Sequence, residues 1–382
     1  REIDGEVPKK ILDLGAGEGS LSASAIGRWP RANLVTVDID PSTSTALESR
    51  LSQIGCSAHQ HYLHDALDPN LTDILGTSHG HFDVAVCNPP FFNPEWSRSH
   101  ADILQRGQLG DAAHSPREVT AEILFIAQSL SLLGAGGRLA VIVPDSLITT
   151  ARAARFRTSL LQNHTVEKVI QLPINSFMET DSQCYILVIR KGSGPTQDLT
   201  LLSVGDDQSM SEPIIVSADT AKLRMDYNFH SLRCHKSESH TTLRRLGAEV
   251  FRGSISTVQK KEAAFPVFHT SEYKSITDGL IKLPEPSILP PFAKVVAKPG
   301  DILMARVDRN LHEKIGIVVA GSAAITDCVY RISLPEQNRQ AAYRALCSED
   351  GRRNLRALTK GVGARIIGKA DLLDMPLAVM NG

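Results

Sequence analysis

Short apolar runs alternate with amphipathic stretches over the first half of the chain. Apolar runs bounded by turn residues are typical of buried strands, and apolar positions at a 3.6-residue period are typical of helices. Strands and helices that alternate in this order predict an open α/β sheet with mostly parallel strands. The strands are predicted at 11–14, 34–37, 59–63, 82–86, 138–143, 166–172 and 184–190, and the helices at 20–28, 121–133 and 152–162.

The second half has a different pattern, in which short β-like runs alternate with Pro and Gly turns from about residue 241. Its clearest runs are 298–307, 314–319 and 325–332, and a helical stretch follows over 338–358. Between the halves, Gly192-Ser193-Gly194-Pro195 breaks the last strand and polar residues dominate. We therefore predict one domain over 1–191, a connector over 192–240 and a second, α+β domain over 241–382.

A glycine-rich turn, Gly15-Ala16-Gly17-Glu18-Gly19, lies between the first predicted strand and the first helix, which Ser20 could cap. Glycines let the backbone approach a cofactor closely, and the helix N-terminus presents free N–H groups. Asp38 ends the second strand, where an acid usually holds ribose hydroxyls. A nicotinamide dinucleotide fits these two features, but Asp65 at the end of the third strand and the motif after the fourth favour a different chemistry.

That motif is Asn88-Pro89-Pro90-Phe91, directly after the apolar run 82–86. Two prolines prevent the backbone from continuing the strand or entering a helix, so a rigid loop is expected at the carboxyl end of the sheet. The Asn88 amide oxygen and the Pro89 carbonyl can converge on an exocyclic amine, while Phe91 stacks on the ring that carries it. The alternative is a strand-terminating turn with a buried Phe.

Composition is that of an ordinary globular protein of 382 residues, which is long enough for two domains. Six scattered cysteines show no close pairing, and no residue set predicts a metal site. The net charge is −1, but residues 241–382 hold 21 Lys/Arg against 14 Asp/Glu (+7) and the remainder holds 20 against 28 (−8). The basic half predicts a polyanionic partner. No membrane span or signal peptide is predicted, and a cytoplasmic location is expected.

With these motifs in this order, residues 8–191 resemble the class I S-adenosylmethionine-dependent methyltransferases, specifically the N6-adenine DNA methyltransferases. The resemblance implies a Rossmann-like seven-stranded sheet with the last strand antiparallel, and S-adenosylmethionine as cofactor. It implies methyl transfer to N6 of a flipped-out adenine. The Phe form of the motif is similar to that in modification subunits of type I restriction systems and their relatives.

The resemblance also assigns roles by position. Asp38 would hold the ribose and Asp65 the cofactor's adenine amine, although Asp65 could instead be a helix cap. Phe91 and Phe177 would stack on the two faces of the target base, although Phe177 could be ordinary core. The implied cofactor-binding residues are Asp13, Gly15, Gly17, Gly19, Asp38, Ile39, Asp65 and Ala66, and the implied catalytic residues are Asn88, Pro89, Pro90 and Phe91.

The second half resembles the target recognition domains of type I specificity subunits, on the order of Gly300-Asp301-Ile302-Leu303, a Lys314-led strand and Ile325-Thr326-Asp327. The likeness implies double-stranded DNA as partner. For the cations at helical spacing the alternative is a solvated face. The implied DNA-binding residues are Arg306, Arg352, Arg353, Arg356, Lys360 and Arg365.

Several alternatives stay open at the level of sequence. An RNA or protein amide methyltransferase shares the Asn-Pro-Pro-aromatic motif, and a nucleic-acid-binding protein could keep the fold without activity. A restriction nuclease or a helical subunit is a further candidate partner. The polar stretch 92–119 is either a lid that faces DNA or a disordered loop.

Overall fold

The computed structural model describes residues 3, 6–174, 176, 183–234, 241–285, 291–361 and 363–378. The chain divides into two units, Arg1–Tyr227 and Asn228–Gly382. In the first unit the strands are β1 (Lys10–Leu14), β2 (Asn33–Asp38), β3 (His59–Leu63), β4 (Phe82–Cys87), β5 (Leu133–Pro144), β6 (Thr165–Gln171), β7 (Cys184–Arg190), β8 (Asp198–Ser203) and β9 (Ile214–Ser217).

The helices of the first unit lie between these strands, and a ninth helix begins at its last residue. They are α1 (Ser20–Arg28), α2 (Ser44–Gln53), α3 (Leu71–Ile74), α4 (Arg98–Arg106), α5 (Ala121–Leu132), α6 (Asp145–Thr149), α7 (Ala154–Asn163), α8 (Ala218–Ala221) and α9 (Tyr227–Cys234).

All nine strands form one sheet, in the order β3-β2-β1-β4-β5-β7-β6-β8-β9. Strands β1 to β5 pair in parallel, whereas β7 is antiparallel to both β5 and β6. This confirms the predicted class I methyltransferase fold, including its antiparallel last strand. Helices cover both faces, because alternate residues of a strand point to opposite sides: Leu12 and Leu14 pack with α5, and Ile11 packs with α1 and α2.

Strands β8 and β9 were not predicted, and they extend the sheet beyond β6. The part of the expected connector over 198–217 is therefore sheet structure, and the first unit continues to Tyr227. Leu199, Leu201 and Leu202 of β8 are buried, and β9 is the apolar run Ile214-Ile215-Val216 followed by Ser217. Both strands are short and polar residues separate them, so the apolar signal of each is weak.

Two smaller differences concern helix ends. Gly19, at φ +78°, is the residue before α1, and Ser20 is the first helical residue rather than the cap. The helical stretch predicted over 338–358 is two helices, α11 (Glu336–Cys347) and α12 (Glu349–Leu358). Ser348 lies between them in an extended conformation, and its hydroxyl accepts a hydrogen bond from Gly351 N at 3.0 Å.

Besides α11 and α12, the second unit contains β10 (Thr241–Thr242), β11 (Glu249–Arg252), α10 (Thr257–Glu262), β12 (Val267–Phe268), β13 (Leu280–Lys282), β14 (Val296–Ala297), β15 (Ile302–Ala305), β16 (Val307–Asp308), β17 (Ile315–Ala320), β18 (Ala323–Ile325), β19 (Val329–Ser333), β20 (Arg365–Ile366), α13 (Lys369–Leu373) and β21 (Pro376–Leu377). Five of these strands form an antiparallel-rich sheet, in the order β11-β19-β15-β17-β13, and three form a second sheet, β12-β18-β14. Helices α11 and α12 pack on strands β15, β17 and β19 in the main core of the unit.

Candidate active site

The register of the sheet brings the predicted motifs to one edge. Leu14, the last residue of β1, lies opposite Val37 on β2 and Cys87 on β4. Asp38, which ends β2, lies opposite Leu63 of β3. The strand order reverses between β1 and β4, and open α/β sheets bind ligands at the carboxyl ends of the strands at such a point.

A cavity of about 460 Å³ opens at this edge, within the usual size range of ligand sites. It gathers the glycine turn, the ends of β2 and β3, and the Asn-Pro-Pro-Phe loop in one place. Its lining residues are Gly15, Asp38, Ile39, Asp65, Ala66, Asn88, Pro89, Pro90, Phe91 and Phe125.

The glycine turn has positive φ angles that a residue with a side chain rarely adopts, among them +73° at Gly15. The amide of Gly15 donates to Val37 O at 2.8 Å, which holds the turn across the end of β2. A Cβ at Gly15 would lie 3.3 Å from Phe125 Cε1 and 3.9 Å from Asn88 O. A side chain at this position would therefore enter the narrow space between the turn and the Asn-Pro-Pro loop.

Asp38 holds the turn and also faces the cavity. Its carboxylate accepts the amide of Gly17 at 2.7 Å and the amide of Asp40 at 2.9 Å. Because a carboxylate has about four acceptor positions, two remain for hydroxyl groups of a ligand. Ile39 beside it is 69% exposed on the wall of the cavity, and apolar side chains are the usual lining of ligand sites.

Asp65 lines the same cavity and also shapes its own turn. The amide of Leu67 donates to Asp65 Oδ1 at 2.9 Å, as in an Asx turn, while the side chain stays exposed. The backbone bond and the position at the cavity are compatible, since a carboxylate has a second oxygen. Whether Asp65 contacts a cofactor stays a prediction.

The Asn-Pro-Pro-Phe loop begins where β4 ends. Asn88 is exposed, and its side-chain amide makes no hydrogen bond with any residue that the structure describes. Pro89 is buried, while Phe91 is 46% exposed at the cavity rather than buried in a turn. The carbonyl of Phe92 accepts from Ala121 N at 3.0 Å, which attaches the end of the loop to the start of α5. The loop is therefore fixed at both ends with its polar side chain available.

Two buried groups lie beneath the site without lining it. Cys87 donates from Sγ to Leu14 O at 3.0 Å, and burial raises the pKa of its thiol well above the usual value. This favours a packing role over a nucleophilic one. Asp13 is fully buried and accepts a 2.6 Å hydrogen bond from Ser22 Oγ. Burial raises the pKa of Asp13 to about 7, against the opposing effect of that bond.

Phe125 is the lining residue that sequence reasoning missed. It lies on α5, where every residue is buried, including Glu122 and Gln128. A helix that is buried all round has no polar face by which one side could be distinguished from another. No local signal therefore marks Phe125, and the register of the sheet alone brings it against Gly15.

The other predicted residues of the first unit are placed differently. Gly17 and Gly19 shape the turn but do not line the cavity, and a Cβ at Gly19 would collide with Leu47 Cδ1. Gly19 thus lets the turn pass close to α2, whereas Gly17, at φ +50° with no atom within 4 Å of a Cβ, serves the turn through its backbone conformation alone. Phe177 lies outside the described residues, so its predicted stacking role stays a prediction.

The stretch 92–119 contains a helix instead of one long loop. In α4 the side chains of His100, Ile103 and Leu104 are buried, and α4 packs against α5. Ser97 and His100 form a reciprocal capping box at its start, with Ser97 N bonded to His100 Nδ1 at 3.3 Å. Disorder of the whole stretch is therefore wrong, whereas a role facing DNA stays a prediction.

The predicted cations of the second unit fall into two groups. One group has partners: Arg306 Nε donates to Asp327 O at 2.6 Å, Arg353 pairs with Asp350 at 2.9 Å, and Lys360 pairs with Asp371 at 3.0 Å.

The other group is Arg352, Arg356 and Arg365. Arg356 and Arg365 have no side-chain partner among the residues that the structure describes, and Arg352 contacts Cys347. All three lie close enough to His312 to act on it: burial lowers the pKa of His312, and these guanidinium groups lower it further against Glu313.

Among the described residues, no cluster of His, Cys, Asp and Glu side chains has the arrangement of a metal site. None of the described helices has the length and apolarity that crossing a bilayer requires.

Residues 6–217, more than half of the chain, match the family model described as N-6 DNA Methylase. The chain belongs to the N-6 DNA Methylase family. The matched residues include β1 to β9 and every residue that lines the cavity. Membership of this family implies S-adenosylmethionine as the cofactor.

The N-6 DNA Methylase unit is also similar to individual proteins of two kinds. The tRNA1(Val) (adenine(37)-N6)-methyltransferase of Porphyromonas gingivalis is 31% identical over 159 residues, which are 40% of this chain and 57% of that protein. The type I restriction enzyme MpnII methylase subunit of Mycoplasma pneumoniae is 29% identical over 111 residues, 29% of this chain and 20% of that protein. The chain thus spans little more than half of the first relative and a smaller share of the second.

One solved structure has a fold similar to nearly the whole chain. The type IIG restriction endonuclease BpuSI matches with a TM-score of 0.55 and 14% identity, over 96% of this chain and 55% of its own. At this identity the match shows the fold alone. It extends the fold likeness beyond the family match at residue 217 into the second unit.

The residues at the cavity fit S-adenosylmethionine. Asp38 and Asp65, whose carboxylates face the cavity, would hold the ribose and the adenine of the cofactor, and Gly15 would leave room for it beside the turn. When bound, this cofactor supplies a methyl group activated on a positively charged sulfur.

Proposed function

We propose that this protein is a site-specific adenine-N6 methyltransferase that uses S-adenosylmethionine and acts on DNA. The observation that carries the proposal is the single cavity that brings Gly15, Asp38 and Asp65 to the same place as Asn88 and Phe91. The glycine turn with the two acids would fit several kinds of enzyme, and so would the Asn-Pro-Pro-Phe loop alone. Together they provide a place for a nucleoside cofactor beside two acceptors for an exocyclic amine.

The target amine is a poor nucleophile because its lone pair is delocalised into the purine ring. Asn88 Oδ1 and the Pro89 carbonyl would accept its two hydrogens, which favours a pyramidal nitrogen with a localised lone pair. The Asn88 amide makes no competing hydrogen bond with a described residue, and the prolines fix the backbone on which both acceptors lie. Such preorganised polar groups stabilise charge as it develops.

Phe91 supplies the stacking surface for the target base. Its ring is 46% exposed at the cavity, so it can cover one face of a purine without first leaving a core. Stacking of a base on an aromatic ring contributes about 1–3 kcal/mol, which offsets part of the free energy of taking the base out of a helix. Phe177 is proposed for the other face.

The second unit supports DNA as the substrate. Its residues from 241 onward have a balance of 21 Lys/Arg against 14 Asp/Glu. Its sequence resembles target recognition domains, and its fold is covered by the likeness to a restriction endonuclease. We propose that it selects the DNA sequence, with Arg352, Arg356 and Arg365 at backbone phosphates, and that a restriction nuclease or helical subunit acts with the protein.

One observation favours a second candidate, an adenine-N6 methyltransferase of tRNA. Several of the similar curated proteins bear that name, including the one from Porphyromonas gingivalis at 31% identity. That match covers 40% of this chain, so it leaves much of the protein, with the basic second half, without a counterpart. For this reason we place DNA first.

Methylation of mixed genomic DNA and of bulk tRNA by the same preparation would separate the two candidates. We expect N6-methyladenine in DNA, at one sequence when mapped at base resolution, and no gain of label in tRNA. Label in tRNA alone would favour the second candidate. Label in neither, with S-adenosylhomocysteine still bound, would indicate a methyltransferase fold without this activity.

A further inference from the structure

The exposed aromatic side chains of this protein are concentrated in one short segment. Among the Phe, Trp and Tyr residues that the structure describes, those in the exposed class are Phe91 at 46%, Phe92 at 50%, Trp96 at 42% and Phe292 at 47%. Three of these lie within the six residues 91–96. Single exposed apolar residues are common on protein surfaces, but a contiguous group marks an interaction site.

Phe92 and Trp96, the two exposed aromatic residues beside Phe91, are attached to the fold in different ways. The carbonyl of Phe92 accepts from Ala121 N at 3.0 Å, at the start of the buried helix α5. Trp96 packs edge-to-face on His100 with ring centroids 5.6 Å apart, and His100 is buried and belongs to the capping box of α4. The Trp96 ring, fixed in this way, loses little conformational entropy when a ligand stacks on it, and the backbone that carries Phe92 is fixed.

The segment is continuous with the cavity. Phe91 lines the cavity, Phe92 follows it directly, and the backbone from Phe91 to Trp96 can extend no further than about 18 Å. Both rings are therefore attached to backbone within about 18 Å of a residue that lines the cavity.

Exposed arginines belong to the stretch 92–119 or form hydrogen bonds with it. Arg152 donates to Arg117 O, and Arg155 bonds to Asp111 O and His114 Nδ1, so both are held by neutral acceptors. Arg98, the first residue of α4, is exposed and has no side-chain partner among the described residues. Aromatic rings interleaved with such cations are characteristic of surfaces that bind unstacked nucleotides.

We propose that Phe92 and Trp96 bind the base of the nucleotide next to the target adenine. The inference rests on the proposed function, since it requires a base in the cavity. When an adenine leaves a base stack, its neighbour loses the stacking contact on that side. An aromatic ring just outside the cavity can restore that contact, and because every base has a π face this needs no particular sequence.

The chain offers a direct spectroscopic test, because it has two tryptophans, Trp29 and Trp96. In a Trp29→Phe background the fluorescence of the full-length protein reports on Trp96 alone. The probe is an oligonucleotide duplex with the mapped target sequence, made with either a normal neighbour base or an abasic neighbour. We expect binding of the normal duplex to quench Trp96, and the abasic neighbour to remove most of that quenching.

Affinity should follow the same pattern. The abasic neighbour should weaken binding by about 5- to 150-fold, the equivalent of one stacked base. In Trp96→Ala and in Phe92→Ala this difference should shrink, and Trp96→Phe should restore part of it. Phe292→Ala, which removes an equally exposed ring from the second unit, is the matched control and should behave as the parent protein.

Different results would refute the neighbour-base assignment and the proposed function. If the parent protein methylates its target and Trp96 is quenched equally by normal and abasic duplexes, the neighbour-base assignment is wrong while the proposed function stands. Quenching by a protein subunit but by no nucleic acid would assign the rings to that subunit instead. Absence of N6-methyladenine from every nucleic acid would overturn the proposed function and this inference with it.

Discussion

The carboxyl edge of the first sheet and the cations of the second unit were both predicted from short patterns, yet they differ in how residues are positioned. We call these cations the basic face, which consists of Arg306, Arg352, Arg353, Arg356, Lys360 and Arg365. At the sheet edge, β-strand register places residues that are far apart in sequence, such as Gly15, Asp65 and Asn88, around one cavity. On the basic face, whether a cation forms an ion pair depends on the acidic side chains nearest to it. Arg353 and Arg356 lie on the same helix, but only Arg353 forms an ion pair among the described residues.

The difference shows which patterns predict function well. A motif at the end of a parallel strand inherits its position from the whole sheet, because the strand cannot shift by one residue without reversing every side chain. A charge on a surface helix has no such constraint, and an acid three or four residues away is enough to neutralise it. Spacing alone therefore predicts the first kind of site better than the second.

The largest expected effect concerns Asp13, which is buried beneath the carboxyl edge of the first sheet. Burial raises the pKa of Asp13 from 3.8 to about 7, so the folded state keeps a proton that the unfolded state loses. Stability should then fall as pH rises from about 4 to about 7, by on the order of 4 kcal/mol for this group. In Asp13→Asn that part of the pH dependence should disappear, because the side chain no longer ionises.

Urea denaturation of both proteins across this pH range measures the effect, with the exposed Asp73→Asn as control. Parallel curves for the parent and Asp13→Asn would show that Asp13 ionises equally in both states. Other groups change the slope of each curve, but they cancel in the difference between the two proteins.

The second prediction concerns the acceptors. Asn88→Ala should reduce methyl transfer by about 10²- to 10³-fold, or 2.7–4 kcal/mol, by analogy with the loss of one oxyanion-hole donor. Binding of S-adenosylhomocysteine should change little, since the cofactor is assigned to the other side of the cavity. Asn33→Ala, an exposed Asn at the opposite end of the sheet, is the control. Turnover close to that of the parent would refute the assigned role of Asn88.

The sequence predicted the positions that the buried strands determine better than the positions that depend on local surroundings. The strands and the turns after them were predicted closely, because buried parallel strands give strong apolar runs. Phe125 was missed because all of α5 is buried. The buried residues of α4, His100, Ile103 and Leu104, are at helical spacing, but only two of them are apolar, so the pattern is short. Strands β8 and β9 are short apolar runs that follow the break at Gly192-Ser193-Gly194-Pro195 and are separated by polar residues. Each missed element depends on contacts with residues distant in sequence.

The third prediction compares two glycines with the same backbone strain. Gly15 has φ +73° and Gly55 has φ +71°, but a Cβ at Gly55 would meet nothing within 4 Å. Alanine at either position should destabilise the protein by roughly 1–2 kcal/mol through the left-handed backbone. Only Gly15→Ala should also weaken binding of S-adenosylhomocysteine, on the order of tenfold, or 1.4 kcal/mol.

Calorimetric titration of both variants decides this point, once thermal melts have shown that each is folded. Equal loss of affinity in the two variants would mean that general destabilisation, and not the cavity, controls binding. Unchanged affinity in Gly15→Ala would place the cofactor away from the glycine turn.

The smallest expected effect concerns the difference between cations of the basic face with a described partner and those without one. Arg356→Ala and Arg365→Ala remove cations without a described partner, whereas Arg353→Ala and Lys360→Ala remove the same charge from ion pairs. For each lost phosphate contact, the slope of log K against log salt should decrease by about 0.9 for duplex DNA. We therefore expect the slope to decrease by about this amount in the first two variants and by less in the second two. The methylated sequence should stay the same, because phosphate contacts position the protein without selecting bases. Binding of a target duplex at several salt concentrations measures it. An equal decrease in all four variants would mean that the basic face acts only through its overall charge. The ion pairs of individual cations would then have no effect on DNA binding.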